Sequence, residues 1–161
     1  MDLRTQLMRD LEESRAAMLV HLTQVELQRK IYPLWTIREI LAHISGWDDS
    51  VIAVVECLRD GSVPTTPAAA GIDAYNAATV ATREGLDYDH VYREYIETRK
   101  QLLGLLAELD DSKLTETTTL PWGGYGSVQQ IIAIFVEHEY EHAGDVQKIV
   151  AAARENSALE N

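Results

Sequence analysis

Two histidines one helical turn apart, His138 and His142, are the residues of this sequence from which chemistry can be argued. An i, i+4 spacing points both imidazoles the same way, so their nitrogens can reach one metal ion. Both interrupt an apolar stripe that reads Val128, Ile131, Phe135, then Val146 and Ile149, so they face inward. A buried imidazole needs a partner for each ring nitrogen, and two on one apolar face are hard to satisfy with ordinary hydrogen bonds. His43 lies three residues after Ile40 and four before Trp47, in a second inward stripe. Three neutral imidazoles from two helices can cap one face of a divalent cation. They leave positions open for water or substrate, which is the layout of a catalytic centre and not of a closed structural one. His21 and His90 sit at the margins of their stripes and read as surface or stripe-edge residues.

His138-Glu139-Tyr140-Glu141-His142 also satisfies H-E-x-x-H, the pattern of zinc peptidases in which the glutamate is the general base. The context argues against a peptidase. The extended form of that motif needs glycine at 145 and histidine at 148, where this chain has Asp145 and Lys148. Glu139 stays a candidate catalytic base for a metal-bound water, about a quarter turn from His138; a solvated glutamate is the plain alternative. Asp145, one turn beyond His142, could orient that imidazole. Trp47 and Trp122 could wall a pocket, although packing explains them as well. Asp48 and Asp49 read as a solvated helix face. Tyr88, Tyr92 and Tyr95 read as packing residues whose hydroxyls reach the surface.

Four long amphipathic helices must position these groups. The first spans about 3–25, with Leu3, Leu7, Leu11, Met18, Leu22 and Val25 on one face. The second opens with a capping box, Thr36 with Glu39, and a hydrophobic staple, Trp35 with Ile40; Gly61 ends it. Residues 61–71 read as a crossover loop, with Pro64 and Pro67 between two glycines. A short helix is expected over 73–83 with Asp73 as its cap. The third long helix is expected over about 88–109, followed by a loop from Asp110 to Gly126. Ser127 with Gln130 forms a second capping box and opens the fourth helix.

The expectation is an all-α four-helix bundle over residues 1–153, with a frayed polar tail at 154–161. The short first link predicts that helices one and two are antiparallel neighbours. The long crossover between helices two and three permits up-down-down-up connectivity. The 161 residues suit one domain, and 46% hydrophobic residues suffice for a core. With 26 acidic against 14 basic residues the net charge is −12, which repels nucleic acid and anionic membranes. No apolar run approaches the roughly 20 residues that span a bilayer. The opening Met1-Asp2-Leu3-Arg4 carries no signal-peptide core, and Cys57 is the sole cysteine, so a cytoplasmic location is expected.

The chain resembles the DinB/YfiT-like four-helix bundle superfamily over about residues 3–150. The resemblance rests on Trp35-Thr36-Ile37-Arg38-Glu39-Ile40-Leu41-Ala42-His43-Ile44, on the His138-x-x-x-His142 pair and on the crossover after the second helix. It implies that His43, His138 and His142 bind one divalent metal ion, zinc or nickel. The segment Pro121-Trp122-Gly123-Gly124-Tyr125-Gly126-Ser127 is similar to the ClbS/DfsB branch. The resemblance further implies a small-molecule substrate and a metal-dependent enzyme, of thiol S-transferase type with a low-molecular-weight thiol as cosubstrate. A hydrolase using metal-bound water and a non-catalytic stress or resistance binder are the alternatives. A homodimer is compatible with the same likeness.

Overall fold

The computed structural model describes residues 1–160. Helix α1 runs Leu3–Leu22, α2 Ile37–Asp60, α3 Ile72–Ala81, α4 Tyr88–Glu108, α5 Asp111–Thr115 and α6 Val128–Leu159. Strands β1, Thr118–Thr119, and β2, Tyr125–Gly126, pair antiparallel, with Thr118 opposite Gly126. The four long helices form the bundle.

Local chemistry sets their ends. At α2 the Thr36 amide donates to Glu39 Oε2 at 2.7 Å, and at α6 the Ser127 amide donates to Gln130 Oε1 at 3.0 Å. Gly61 ends α2 in the left-handed region at φ 75°. The short helix starts at Ile72, capped by Gly71 and not by Asp73. The loop expected from Asp110 to Gly126 holds α5 and the small hairpin, whose turn needs positive φ at Gly123 and Gly124. The segment expected to fray continues α6 as exposed helix through Leu159; Asn161 lies outside the described residues.

Paired side chains give the helix directions. Arg4 donates to the Leu106 carbonyl while Arg15 donates to that of Tyr95, so α1 and α4 are antiparallel. Arg15 also meets Glu139, and Gln24 meets Arg154, so α1 and α6 run parallel. Arg38 bonds the Leu86 carbonyl and Asp48 pairs with Arg99, so α2 and α4 run parallel. The result is up-down-down-up. The first link does not make α1 and α2 neighbours: α1 packs mainly on α6 and α2 on α4, leaving α1 and α2 across the diagonal. Residues 23–36 are long enough to cross the bundle end, with a turn in which Tyr32 and Trp35 pair.

The apolar interior is split in two. One cluster holds Leu7, Leu11, Trp47, Val51, Leu102, Leu106, Ile131 and Phe135; the other holds Met18, Leu22, Ile40, Ile44, Val91, Ala143 and Val146. Between them lies a layer of buried charge from all four long helices. Arg15 bonds Asp48 at 2.8 Å and Glu139 at 2.6 Å; Arg99 bonds the same carboxylates at 3.1 and 2.6 Å. Tyr95 Oη donates to Glu139 Oε1 at 2.5 Å and Thr98 Oγ1 to Asp48 Oδ2 at 3.1 Å. The Arg15 guanidinium also lies 3.5 Å from the Tyr95 ring centroid. Two cations and two anions cancel, which is the condition under which charge survives burial.

Outside the bundle, α3 buries no residue fully and is held on α2 by specific contacts. Tyr75 Oη donates to the Gly46 carbonyl at 2.6 Å, and Trp47 Nε1 donates to Asn76 Oδ1 at 2.8 Å. Gly46 is required for the approach: a Cβ there would sit 2.5 Å from Thr79 Cβ. The Ala68 amide donates to the Pro121 carbonyl at 2.9 Å, tying the crossover to the hairpin turn.

Candidate metal centre

Helix α2 supplies His43, and α6 supplies His138 and His142. His43 is 2% exposed and the other two are partly buried. Antiparallel packing of α2 on α6 brings the three rings together, with centroids 4.5, 4.9 and 5.1 Å apart. His138 Nε2 lies 3.0 Å from His43 Nε2 and 3.0 Å from His142 Nε2. Two nitrogens bound about 2.0–2.1 Å from one ion lie roughly 3.0–3.4 Å apart. Two of the three pairs stand at that spacing, and all three ligand atoms lie within 4.8 Å of one another, close enough to be drawn onto one ion.

Hydrogen bonding on the far side of His142 decides its tautomer. Tyr32 Oη donates its only hydrogen to Asp145 Oδ2 at 2.9 Å and lies 2.7 Å from His142 Nδ1. His142 Nδ1 must then be the donor, which leaves a lone pair on Nε2 facing the cluster. His138 Nε2 can donate one hydrogen to one neighbour, so no assignment of protons satisfies both 3.0 Å contacts. At least one of the two contacts therefore lacks a single hydrogen directed between its nitrogens. His43 Nδ1 is buried without a partner. A cation at the meeting point of the Nε2 atoms removes the conflict, and three imidazoles are a fitting donor set for a borderline divalent ion.

Electrostatics keep the rings neutral. Burial, reinforced by the neighbouring histidines, pushes His43 down to about 3. Burial, with His138 adding to it, pushes His142 down to about 4, and burial lowers His138 too. Neutral rings are the form a metal needs. Burial, helped by Asp145, raises Tyr32, so its hydroxyl stays protonated as the relay requires.

A cavity of about 200 Å³ opens beside His138, walled by Trp47, Trp122, Ile134 and Phe135 from the bundle side and by Ile72 and Asn76 from α3. A second, of about 500 Å³, lies over the Tyr32–Trp35 turn and is also bounded by Asn76. Trp35 packs on His43 with ring centroids 5.0 Å apart. Trp47 and Trp122 thus both wall the cleft and pack in the core.

Other candidates fall elsewhere. Glu139 is fully buried in the charged layer, where Arg15, Arg99, Tyr95 and Ser14 occupy both oxygens. It is neither a solvated glutamate nor among the residues whose ligand atoms converge. Asp48, expected on a solvated face, is 2% exposed in the same layer, and Tyr95 keeps its hydroxyl inside. Asp49 pairs with Arg83 at 2.7 Å. Asp145 reaches His142 through Tyr32, a residue that sequence reasoning passed over because it lies in a loop. His21 is partly buried and His90 exposed, and neither joins the cluster.

A family profile described as the DinB superfamily matches residues 6–146. No curated protein matches the sequence with significance. Among solved structures, the chain is similar to a mycothiol-dependent maleylpyruvate isomerase at 13% identity and a TM-score of 0.76, covering 91% of this chain and 61% of the isomerase. It spans less than two thirds of that protein. DfsB, described as a sibling lethal factor precursor, gives 16% identity and a TM-score of 0.77 over 94% of this chain and 96% of that one. YfiT from Bacillus subtilis, described as a probable metal-dependent hydrolase with an unusual four-helix bundle topology, gives 15% identity and a TM-score of 0.71 over 93% and 87%. At these identities the likeness concerns the fold. Among the described residues no helix is long and apolar enough to cross a membrane.

Proposed function

Because the chain belongs to the DinB superfamily, we propose that His43, His138 and His142 hold one divalent cation, zinc or nickel, in an enzyme that transfers a low-molecular-weight thiol to a small electrophile. The observation that carries this reading is the convergence of three neutral Nε2 atoms, which no proton assignment satisfies, beside an apolar cavity. A bound ion would supply a Lewis acid that favours the thiolate, the reactive form of a thiol. The chain's own residues do the rest. The three histidines hold the ion, and Tyr32 with Asp145 fixes the His142 ring. Trp47, Trp122 and Phe135 keep water from the approach to His138. In the overall step the thiol loses its proton to solvent, a sulfur–carbon bond forms, and the leaving group departs with its electron pair.

A mycothiol-dependent enzyme among the structural neighbours supports the thiol. YfiT supports the alternative, a hydrolase. Hydrolysis asks for a general base at the water, and the carboxylate that the motif offers, Glu139, is spent on two arginines. Thiol transfer has no such requirement.

The test is metal analysis of wild type and His138→Ala, followed by 1-chloro-2,4-dinitrobenzene with and without glutathione, bacillithiol or mycothiol. The reading expects metal in wild type, loss of it in the variant, and turnover only with thiol. Turnover without thiol identifies a hydrolase, and bound metal without turnover a binding protein. Unchanged metal content in His138→Ala overturns the centre itself.

A further inference from the structure

The walls of the cleft carry information about what enters it. Across both cavities no lysine or arginine is present, and the one carboxylate is Asp73. Lys30, on the same turn as the second cavity, is directed to the Leu34 carbonyl at 3.2 Å. Arg83, on the segment after α3, is consumed by Asp49 and Glu94. The rim is apolar: Leu34, Ile72 and Ile134 are 81%, 51% and 46% exposed. Large aliphatic side chains left in water around a concave site mark a surface that expects an apolar ligand.

One polar group points to the ligand's chemistry. Indole N–H only donates, so the 2.8 Å bond from Trp47 Nε1 fixes the Asn76 carboxamide with its oxygen toward Trp47. The Nδ2 hydrogens are left without a protein partner, on a residue that bounds both cavities. They can donate to a carbonyl, nitro or similar acceptor. A carboxylate in the same place would lose its hydration, find no lysine or arginine and face Asp73 within a molecule of net charge −12.

We infer that the cleft selects an uncharged, largely apolar electrophile with an acceptor group held by Asn76, and that its walls reject anionic acids. The inference rests on the proposed site for a small electrophile and names its substrate class; a bound divalent ion with one thiolate would still carry a single positive charge beside His138, so selection by the cleft walls is read in the metal-free protein. It concerns binding, so it is tested without thiol and without turnover. Failure of thiol transfer would leave the result below untouched.

The three tryptophans of the chain, Trp35, Trp47 and Trp122, all border the two cavities, so intrinsic fluorescence reports on the cleft. Zinc-loaded and metal-free protein are titrated at pH 7.5 with 3,5-dinitrobenzamide and with 3,5-dinitrobenzoate, a pair of matched shape and different charge. The amide is expected to quench saturably in both forms and, in the metal-free form, at least tenfold tighter than the benzoate. Asn76→Asp keeps an acceptor for Trp47 and removes the –NH2, so it is expected to weaken the amide about tenfold with zinc content unchanged. Asp73→Lys, at an exposed position, is expected to bring the benzoate in. Tighter binding of the benzoate to the metal-free form, no saturable quenching by the amide, or an Asn76→Asp protein that binds the amide as wild type does would each overturn the inference.

Discussion

His138 and Glu139 are consecutive in sequence and belong to regions built on opposite terms. His138 turns toward α2 and the cavity beside it, among rings whose nitrogens lack a full set of partners. Glu139 looks inward to the bundle axis, where two arginines, a tyrosine and a serine meet its oxygens and leave Arg99 Nε as the layer's one unpartnered atom. The charged layer is sealed and, but for that atom, paired; the neutral cluster borders a cavity. Buried polar groups that are satisfied hold a fold together, whereas groups left unsatisfied beside a cavity wait for a ligand. The H-E-x-x-H match therefore joins residues with separate tasks.

That contrast can be broken by substitution on each side. Glu139→Ala leaves two buried arginines short of an anion and is expected to lower unfolding stability by about 3–5 kcal/mol, read from urea denaturation. His138→Ala is expected to leave the denaturation midpoint of the metal-free protein near wild type while abolishing stoichiometric zinc binding by calorimetry. Equal destabilisation by both would erase the distinction. A milder change, Tyr32→Phe, keeps the ring and removes the relay to Asp145. Zinc affinity should fall about 10–100-fold with all three ligands in place.

The smallest effect is in acid. His43 and His142 titrate at about 3 and about 4 in the folded chain, below the ordinary 6.5. Between these limits the unfolded chain binds protons that the folded chain refuses. The stability due to neutral rings is therefore complete above about pH 6.5 and falls as pH drops toward 4. Urea midpoints of the metal-free protein at pH 7 and pH 5 should diverge more for wild type than for His43→Leu. An identical pH response would place the ring in solvent.

Much of the centre was legible because helical periodicity states which side chains share a face. The i, i+4 pair on one stripe and His43 on another needed only the packing of α2 on α6 to meet. The charged layer left a fainter trace. Each stripe is interrupted at one level, by Ser14 and Arg15, by Asp48, by Thr98 and Arg99, and by Glu139. Any one of these reads as the edge of a solvated face; their agreement in height shows only when the helices are aligned. Tyr32 and Asn76 gave no trace, since a loop tyrosine and a short-helix asparagine have no periodicity to violate.

By itself the sequence determined the four long helices, their caps at Thr36 and Ser127, and the direction each histidine takes from its own helix axis, because these depend on residues a few positions apart. Only the tertiary structure decided that α1 lies diagonal to α2, that Glu139 pairs with two arginines, and that α3 walls a cavity beside His138. Those outcomes depend on partners up to 125 residues away, Ser14 to Glu139 for one, and no local pattern records which distant group will satisfy a buried charge.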